Sequence, residues 1–236
     1  MSEAVSNGHR LVLFDIDGTL LSAGRAARES VLAALREVYG WTGSPSSDRH
    51  DFSGKTDPQI IRELILDSVG DERCEAQLER ALDRYLSELR ARLTPEAVVP
   101  KPGIPELLER LSREPGVTLA LLTGNLEPGA RLKLEPPGFN RYFSFGAFGS
   151  DSADRYELPA IAVDRARATT GREFRGKSIV IVGDSVHDVG CGRSLGVRSV
   201  AVATGPTPSE RLESERPDAL LKDFSDVDEA ARAILA

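Results

Sequence analysis

The sequence predicts an α/β protein, a doubly wound parallel sheet that carries an inserted all-helical segment. Three observations lead there. The runs Leu11–Phe14, Val117–Leu122, Ser178–Val182 and Val197–Val202 are short and almost wholly apolar, as strands buried on both faces of a sheet are. Stretches with apolar residues at helical spacing separate these runs, and strands that alternate with helices imply parallel neighbours joined by crossovers. Between residues 23 and 95 the helical spacing continues with no strand-like run to interrupt it. The expected division is a core of residues 10–22 and 96–236 and a helical insertion of residues 23–95.

The elements follow in order. Met1 to His9 is polar and expected to fray. Leu11–Phe14 opens the sheet. Val31, Leu32, Leu35 and Val38 mark a first helix over about residues 26–39. The Gly/Ser/Pro-rich stretch from Gly40 to Gly54 reads as a loop. Ile60, Ile61, Leu64 and Ile65 mark a second helix, with Asp57-Pro58 as cap and first-turn proline. Leu78, Leu82, Tyr85, Leu86, Leu89 and Leu93 mark a third, longer one. In the core, Leu107, Leu108 and Leu111 form one face of a helix over Gly103–Arg113, and Val117–Leu122 is a strand. A helix from Glu127 to Glu135 and a short strand over Tyr142–Phe145 follow. Leu158–Thr170 is helical, Ser178–Val182 a strand, and the stretch near Val189 to Leu195 a helix. Val197–Val202 and Ala219-Leu220 complete the strands, and a helix from about Val227 ends the chain.

Composition narrows the partners. A formal net charge of −7 argues against nucleic acid or an anionic membrane as the main partner. It leaves room for an anionic small molecule, because a metal and a few cations can reverse the field inside one cleft. There is no apolar run long enough to span a bilayer, and no signal peptide is expected. Two distant cysteines, Cys74 and Cys191, form no metal motif and suit a reducing, cytoplasmic setting. A monomer or homodimer is expected.

The chemistry sits at the ends of three strands. Asp15 and Asp17 follow Leu11–Phe14 one residue apart, so both side chains start on one side of the strand. Two carboxylates this close repel unless a cation sits between them or one binds a proton. Gly18 permits a sharp turn, and Thr19 offers a hydroxyl and an amide. The second end, Thr123-Gly124-Asn125, precedes a helix, where a hydroxyl and free backbone N–H groups suit a phosphate oxygen. The third end carries Asp184 and Asp188, two more carboxylates that call for a cation. In doubly wound sheets ligands bind beyond the carboxyl ends of the strands, so the three ends should share one crevice.

Asp15-Ile16-Asp17-Gly18-Thr19-Leu20 resembles the first motif, Asp-x-Asp-Gly-Thr-Leu, of the haloacid dehalogenase-like (HAD) superfamily. Thr123 resembles its second motif and Gly183-Asp184-Ser185-Val186-His187-Asp188 its fourth, Gly-Asp-x-x-x-Asp. That superfamily places a Lys or Arg between the second and fourth motifs. Arg155 fills the interval, whereas Lys133 lies inside the helix after the second motif and Lys177 just before the next strand. The helical insertion matches the position of the superfamily's helical cap, and Gly54-Lys55-Thr56-Asp57 resembles a cap loop of the phosphoglycolate phosphatase and β-phosphoglucomutase branch.

The resemblance implies a HAD-like Rossmannoid core and a Mg²⁺-dependent phosphatase acting on a small phosphorylated metabolite. Asp15 would be the nucleophile, forming an aspartyl-phosphate, and Asp17 the general acid and base. Asp15, Asp184, the backbone carbonyl of Asp17 and, more indirectly, Asp188 would hold the metal. Thr19, Thr123, Gly124, Asn125 and Arg155 would meet the phosphate, and Lys55 the rest of the substrate from the cap. True dehalogenases resemble this family without a carboxylate at the place of Asp17, because halide leaves without a proton. The alternatives are a sugar phosphomutase of the β-phosphoglucomutase type and, if Lys55 forms a Schiff base, a phosphonate hydrolase. Ser22–Gly24 and the stretch from Thr94 to Gly103 are the expected hinges of the cap.

Overall fold

The computed structural model describes residues 8–43 and 52–236. The fraying expected of the first residues, and most of the loop between Gly40 and Gly54, lie outside them. The chain runs β1 (Arg10–Phe14), β2 (Leu21–Ser22), α1 (Ala26–Tyr39), α2 (Asp57–Val69), α3 (Asp71–Arg92) and β3 (Val99–Pro100). It continues α4 (Ile104–Arg113), β4 (Val117–Leu122), α5 (Glu127–Leu134), β5 (Gly146–Ala147), α6 (Leu158–Thr170), β6 (Ile179–Gly183) and α7 (Val186–Leu195). β7 (Arg198–Val202), α8 (Ser209–Ser214), β8 (Ala219–Leu221) and α9 (Val227–Leu235) complete it.

Six strands form one parallel sheet in the order β5-β4-β1-β6-β7-β8. The chain leaves β1 on one side for β4 and β5, then returns to the other side for β6, β7 and β8. The order therefore reverses beside β1, where such sheets open a crevice. Alternation along β1 assigns its side chains to two layers. Val12 and Phe14 join the apolar cluster that includes Leu107 and Leu111 of α4 and Ile234 of α9. Leu11 and Leu13 join the opposite cluster with Leu158 and Ala162 of α6. Both faces are covered, as the continuous apolar runs require.

The helices α1, α2 and α3 pack on one another around their own apolar cluster, with Val31, Leu35, Ile61, Ile65, Tyr85 and Leu89 buried. One residue from beyond the insertion, Leu126, joins that cluster. The two connections expected to be simple hinges pair with each other: β2 and β3 form an antiparallel ribbon, Leu21 opposite Pro100 and Ser22 opposite Val99. Two-residue strands leave too short a pattern to read from sequence.

One expected strand is not there. Phe139–Tyr142 is a 3₁₀ turn, and the edge strand is Gly146–Ala147, paired with Leu121 and Leu122. Phe143 is fully buried and meets Phe14 edge-on at a ring separation of 6.1 Å. The aromatic run is apolar because it fills the core, and the edge strand goes to smaller residues beside Leu121. No described helix is long and apolar enough to cross a membrane.

Candidate active site

The three strand ends converge. Asp15 extends β1 by one hydrogen bond, its N–H donating to the Val182 carbonyl at 3.0 Å. The backbone then turns at Gly18, where φ is +91°. A side chain there would be strained and would also collide with Asp184: an added Cβ would lie 2.4 Å from Asp184 Oδ2. Thr123 follows β4 and lies in the same crevice, its N–H donating to the Ala147 carbonyl at 3.0 Å.

Asp15, Asp184 and Asp188 form a buried acidic cluster, with one carboxylate oxygen from each lying within 4.8 Å of the others. Arg155, itself buried, donates through Nη2 to Asp15 Oδ1 at 3.0 Å and to Asp188 Oδ1 at 2.5 Å. The other oxygen of Asp188 accepts the Ser185 N–H at 3.0 Å and hydroxyl at 2.6 Å, which caps α7. Asp188 is thus held rigidly by its own helix start. Asp184 differs: Oδ1 accepts the Thr19 hydroxyl at 2.9 Å, while Oδ2 is buried with no hydrogen-bond partner. A buried carboxylate oxygen without a partner is costly. An all-oxygen set with one such atom fits a hard divalent cation, so these residues could hold a metal.

The electrostatics agree. Burial pushes the Asp15 carboxyl up to about 7, against the pull of Arg155 and with the push of Asp188 and Asp17. Burial likewise raises Asp184 well above the usual carboxylate range, with Asp15 and Asp188 adding to it. Asp57, at the start of α2, is raised to about 6, again by burial first, with Lys133 opposing. Each carboxyl binds its proton more tightly folded than unfolded. The contribution of Asp15 and Asp57 is therefore complete below about pH 4 and is lost as pH rises through about 6 to 7, and that of Asp184 has the same sign. Asp218, Asp223 and Asp228 are lowered and have the opposite slope, but only below about pH 4. Thermal unfolding in EDTA should show a Tm that falls between about pH 5 and about pH 8. A divalent cation should raise Tm most at the higher pH, because it binds the deprotonated carboxylates. A Tm that rises with pH in EDTA would contradict the burial of these charges.

Asp17 stands outside the acidic cluster. Its side chain is 42% exposed, and Oδ2 accepts from Lys133 Nζ at 2.6 Å and from Asn125 Nδ2 at 2.7 Å. Lys133 Nζ also donates to Asn125 Oδ1 at 2.6 Å, closing a ring of three side chains. The Thr123 hydroxyl oxygen accepts from Asn125 Nδ2 at 2.8 Å, which leaves its proton for a ligand.

Two residues expected to meet the phosphate are hydrogen-bonded to side chains of the site here. The Thr19 hydroxyl is spent on Asp184 and its N–H on the Ile16 carbonyl, so Thr19 supports the acidic cluster from below. The Asn125 side chain is spent on Asp17, Thr123 and Lys133. Lys133, set aside on sequence grounds as an ordinary helix residue, is only 2% exposed and belongs to the site. A helical Lys has no signal of its own in one sequence. Its place in the second turn of α5, against Asp17, appears only in three dimensions.

The insertion closes over this crevice. Thr56 caps α2 by accepting the Gln59 N–H and donates its hydroxyl to the Ala153 carbonyl at 2.7 Å. The Asp57 N–H donates to the Gly124 carbonyl at 2.8 Å, and Asp57 Oδ2 accepts the Leu126 N–H at 2.9 Å. Tyr85 of α3 lies beside Asp57 and lines the same cavity. Gly124 is required by this contact, since a Cβ there would lie 2.1 Å from the Lys55 carbonyl. Between the two parts lies a cavity of about 410 Å³, lined by Asp15, Asp17, Thr123, Lys133 and Arg155 below and by Arg28, Phe52 and Lys55 above. Lys55 reaches the cavity wall as expected, but its ammonium pairs with Glu63 at 2.5 Å. Arg28, stacked over Phe52 at 4.9 Å, is a cavity residue that sequence alone did not single out.

A family model described as haloacid dehalogenase-like hydrolase matches residues 12–193. The chain belongs to this family. A protein named "Probable phosphatase IndB" from Dickeya dadantii is 28% identical over 233 residues, covering 95% of this chain and 94% of that protein. A phosphoglycolate phosphatase from Agrobacterium fabrum is 29% identical over 218 residues, covering 91% and 89%. Among solved structures, a haloacid dehalogenase-like family protein from Streptococcus pneumoniae aligns with a TM-score of 0.68 at 18% identity, over 95% of this chain and 99% of that one. CbbY from Rhodobacter sphaeroides, in complex with phosphate, aligns with a TM-score of 0.71 at 19% identity, over 93% and 96%. The structural likenesses establish the fold.

Proposed function

We propose that this hydrolase is a Mg²⁺-dependent phosphatase that cleaves a small phosphorylated metabolite, of the phosphoglycolate or sugar phosphate class, through an aspartyl-phosphate on Asp15. The observation that carries the reading is the buried cluster of Asp15, Asp184 and Asp188 around one unpartnered carboxylate oxygen, with Asp17 poised beside it. Mg²⁺ would be held by Asp15, Asp184 and the backbone carbonyl of Asp17, with Asp188 fixing the arrangement. When bound, it supplies positive charge that lets an anionic nucleophile meet an anionic substrate. Relatives named as phosphatases, matched over nearly the whole chain, support the same class.

In this reading a carboxylate oxygen of Asp15 attacks phosphorus. Thr123 donates to a phosphoryl oxygen, and Arg155 offers its guanidinium to the transferring group and to Asp15. Asp17 gives a proton to the leaving alcohol, then takes one from the water that opens the intermediate. The helical insertion, residues 23–95, serves as a cap that excludes bulk water and presents Arg28 and Lys55 to the rest of the substrate. The two buried cysteines, neither of them in a disulfide among the described residues, fit a cytoplasmic setting.

Asp17→Asn tests the proton-transfer role. It should slow hydrolysis of alkyl monoesters by about 10²–10⁴-fold, and slow formation of the phosphoenzyme from p-nitrophenyl phosphate much less. Equal losses for the two leaving groups would remove Asp17 from that role. Phosphate release without a sugar bisphosphate primer, across a panel of monoesters with Mg²⁺, separates a phosphatase from a phosphomutase.

A further inference from the structure

We infer that Lys133, together with Asn125, is a positioning residue for Asp17, holding that side chain in the one orientation from which it can serve the leaving oxygen. The inference rests on the proposed phosphatase reading and adds to it a residue that neither the strand-end motifs nor the acidic cluster contains.

Three features of the site carry it. The first is the ring itself. Lys133 Nζ donates to Asp17 Oδ2 and to Asn125 Oδ1, both at 2.6 Å, and Asn125 Nδ2 donates back to Asp17 Oδ2 at 2.7 Å. Among the described residues both hydrogen bonds to the Asp17 side chain fall on Oδ2, and Asp17 lines the cavity. A carboxylate at the end of a strand, 42% exposed, has free rotation about two bonds unless it is tied. Two donors on one oxygen remove that freedom before substrate arrives, and preorganisation of this kind is where a reacting group gains most.

The second is cost. Lys133 is 2% exposed and lies on a helix whose neighbours Ala130 and Leu134 are core residues. An ammonium in that position loses its hydration, and a side chain such as Met would fill the same space without that penalty. The charge is balanced only because Asp17 and, more distantly, Asp57 share its field. A buried cation placed between a cavity carboxylate and a cap carboxylate is an arrangement directed at the site.

The third is the division of labour between the two buried cations. Arg155 is committed to Asp15 and Asp188. Lys133 is committed to Asp17 and Asn125 and makes no contact with the acidic cluster. One cation therefore serves the attacking end of the reaction and the other the leaving end. Asp57, held against the Leu126 N–H, adds a second carboxylate to the field at Lys133 from the other side of the crevice.

The test is the leaving-group dependence of full-length Lys133→Met, assayed with Mg²⁺ on an alkyl phosphate and on p-nitrophenyl phosphate. If Lys133 positions Asp17, the single-turnover rate of phosphoenzyme formation falls at least about tenfold further for the alkyl ester than for the aryl ester, the signature of lost acid help, and the same rate is the readout in every comparison that follows. KM should change little, and in an Asp17→Asn background Lys133→Met should cost almost nothing more. Equal losses for both esters, or losses that add fully to those of Asp17→Asn, would overturn the inference and leave Lys133 as a balance for Asp57. Should Lys133→Met fail to fold, Asn125→Ala removes the other hold on Asp17 without removing a charge. It should show the same split at smaller amplitude, and uniform loss there would also overturn the inference. A wild-type protein inactive toward every monoester would instead defeat the phosphatase reading and take this inference with it.

Discussion

Asp15→Asn should abolish turnover in a protein that remains folded. The substitution removes the only carboxylate at the end of β1 that is backed by Arg155 and faces the cavity. Thr123 has its oxygen engaged by Asn125, and Asp17 is tied to Lys133, so neither can take over the attack. Loss of an enzymatic nucleophile costs on the order of 10⁴–10⁶ in kcat. Folding should survive for an electrostatic reason. Asp15 is a buried acid whose charged form is disfavoured by burial and by Asp188, so a neutral isostere relieves repulsion even as Arg155 loses one partner. Metal-free Asp15→Asn should therefore melt no lower than wild type at neutral pH, with phosphate release at background. A folded Asp15→Asn protein with near-normal turnover would remove the nucleophile from the mechanism.

Removing the metal should have a comparable effect. With EDTA, activity should disappear, and Mg²⁺ should restore it. Ca²⁺ should restore it poorly, because its longer and more numerous oxygen bonds favour capture of both oxygens of Asp15 and spoil the attack. Asp184→Asn isolates the protein's part in this. The orphaned Oδ2 becomes an amide nitrogen or a weaker acceptor, so the Mg²⁺ concentration needed for half-maximal activity should rise at least about 100-fold. The same substitution removes a carboxylate whose charge is costly to bury. The metal-free variant should thus be at least as stable as wild type while its response of Tm to Mg²⁺ is lost. Full activity in EDTA, or an unchanged Mg²⁺ requirement in Asp184→Asn, would contradict the metal assignment.

What sequence could and could not reveal has a physical pattern. Asp15, Asp17, Thr123, Asp184 and Asp188 each follow an apolar strand, so the strand pattern itself marks them and the topology brings them together. Arg155 was found by its interval, and its 3₁₀ turn buries it against Asp15 and Asp188. Lys133, Asp57 and Tyr85 lie on helices where polar or aromatic residues are ordinary, and their meaning comes from contacts between distant segments: Lys133 with Asp17, and Asp57 with Leu126 and Tyr85. The neighbours of Thr19 and Asn125 were not legible, because a hydroxyl or amide at a strand end can face a ligand or a neighbouring side chain equally well: Thr19 donates to Asp184, and Asn125 bonds Asp17, Thr123 and Lys133. The Tyr142–Phe145 expectation failed because apolar aromatic residues mark burial and not a particular backbone shape. The ribbon of β2 and β3 escaped because two residues carry no period.

The central claim is a covalent phosphoryl intermediate on Asp15, and rapid-quench mass spectrometry tests it most directly. Enzyme mixed with a monoester substrate and Mg²⁺, then quenched in acid within the first turnover, should carry one phosphoryl group on the peptide containing Asp15. The adduct should accumulate further in Asp17→Asn with p-nitrophenyl phosphate, where its formation is spared and its hydrolysis is slowed, and it should be absent in Asp15→Asn. Steady phosphate release with no phosphoryl group on that peptide at any quench time, in wild type and in Asp17→Asn alike, would contradict the account.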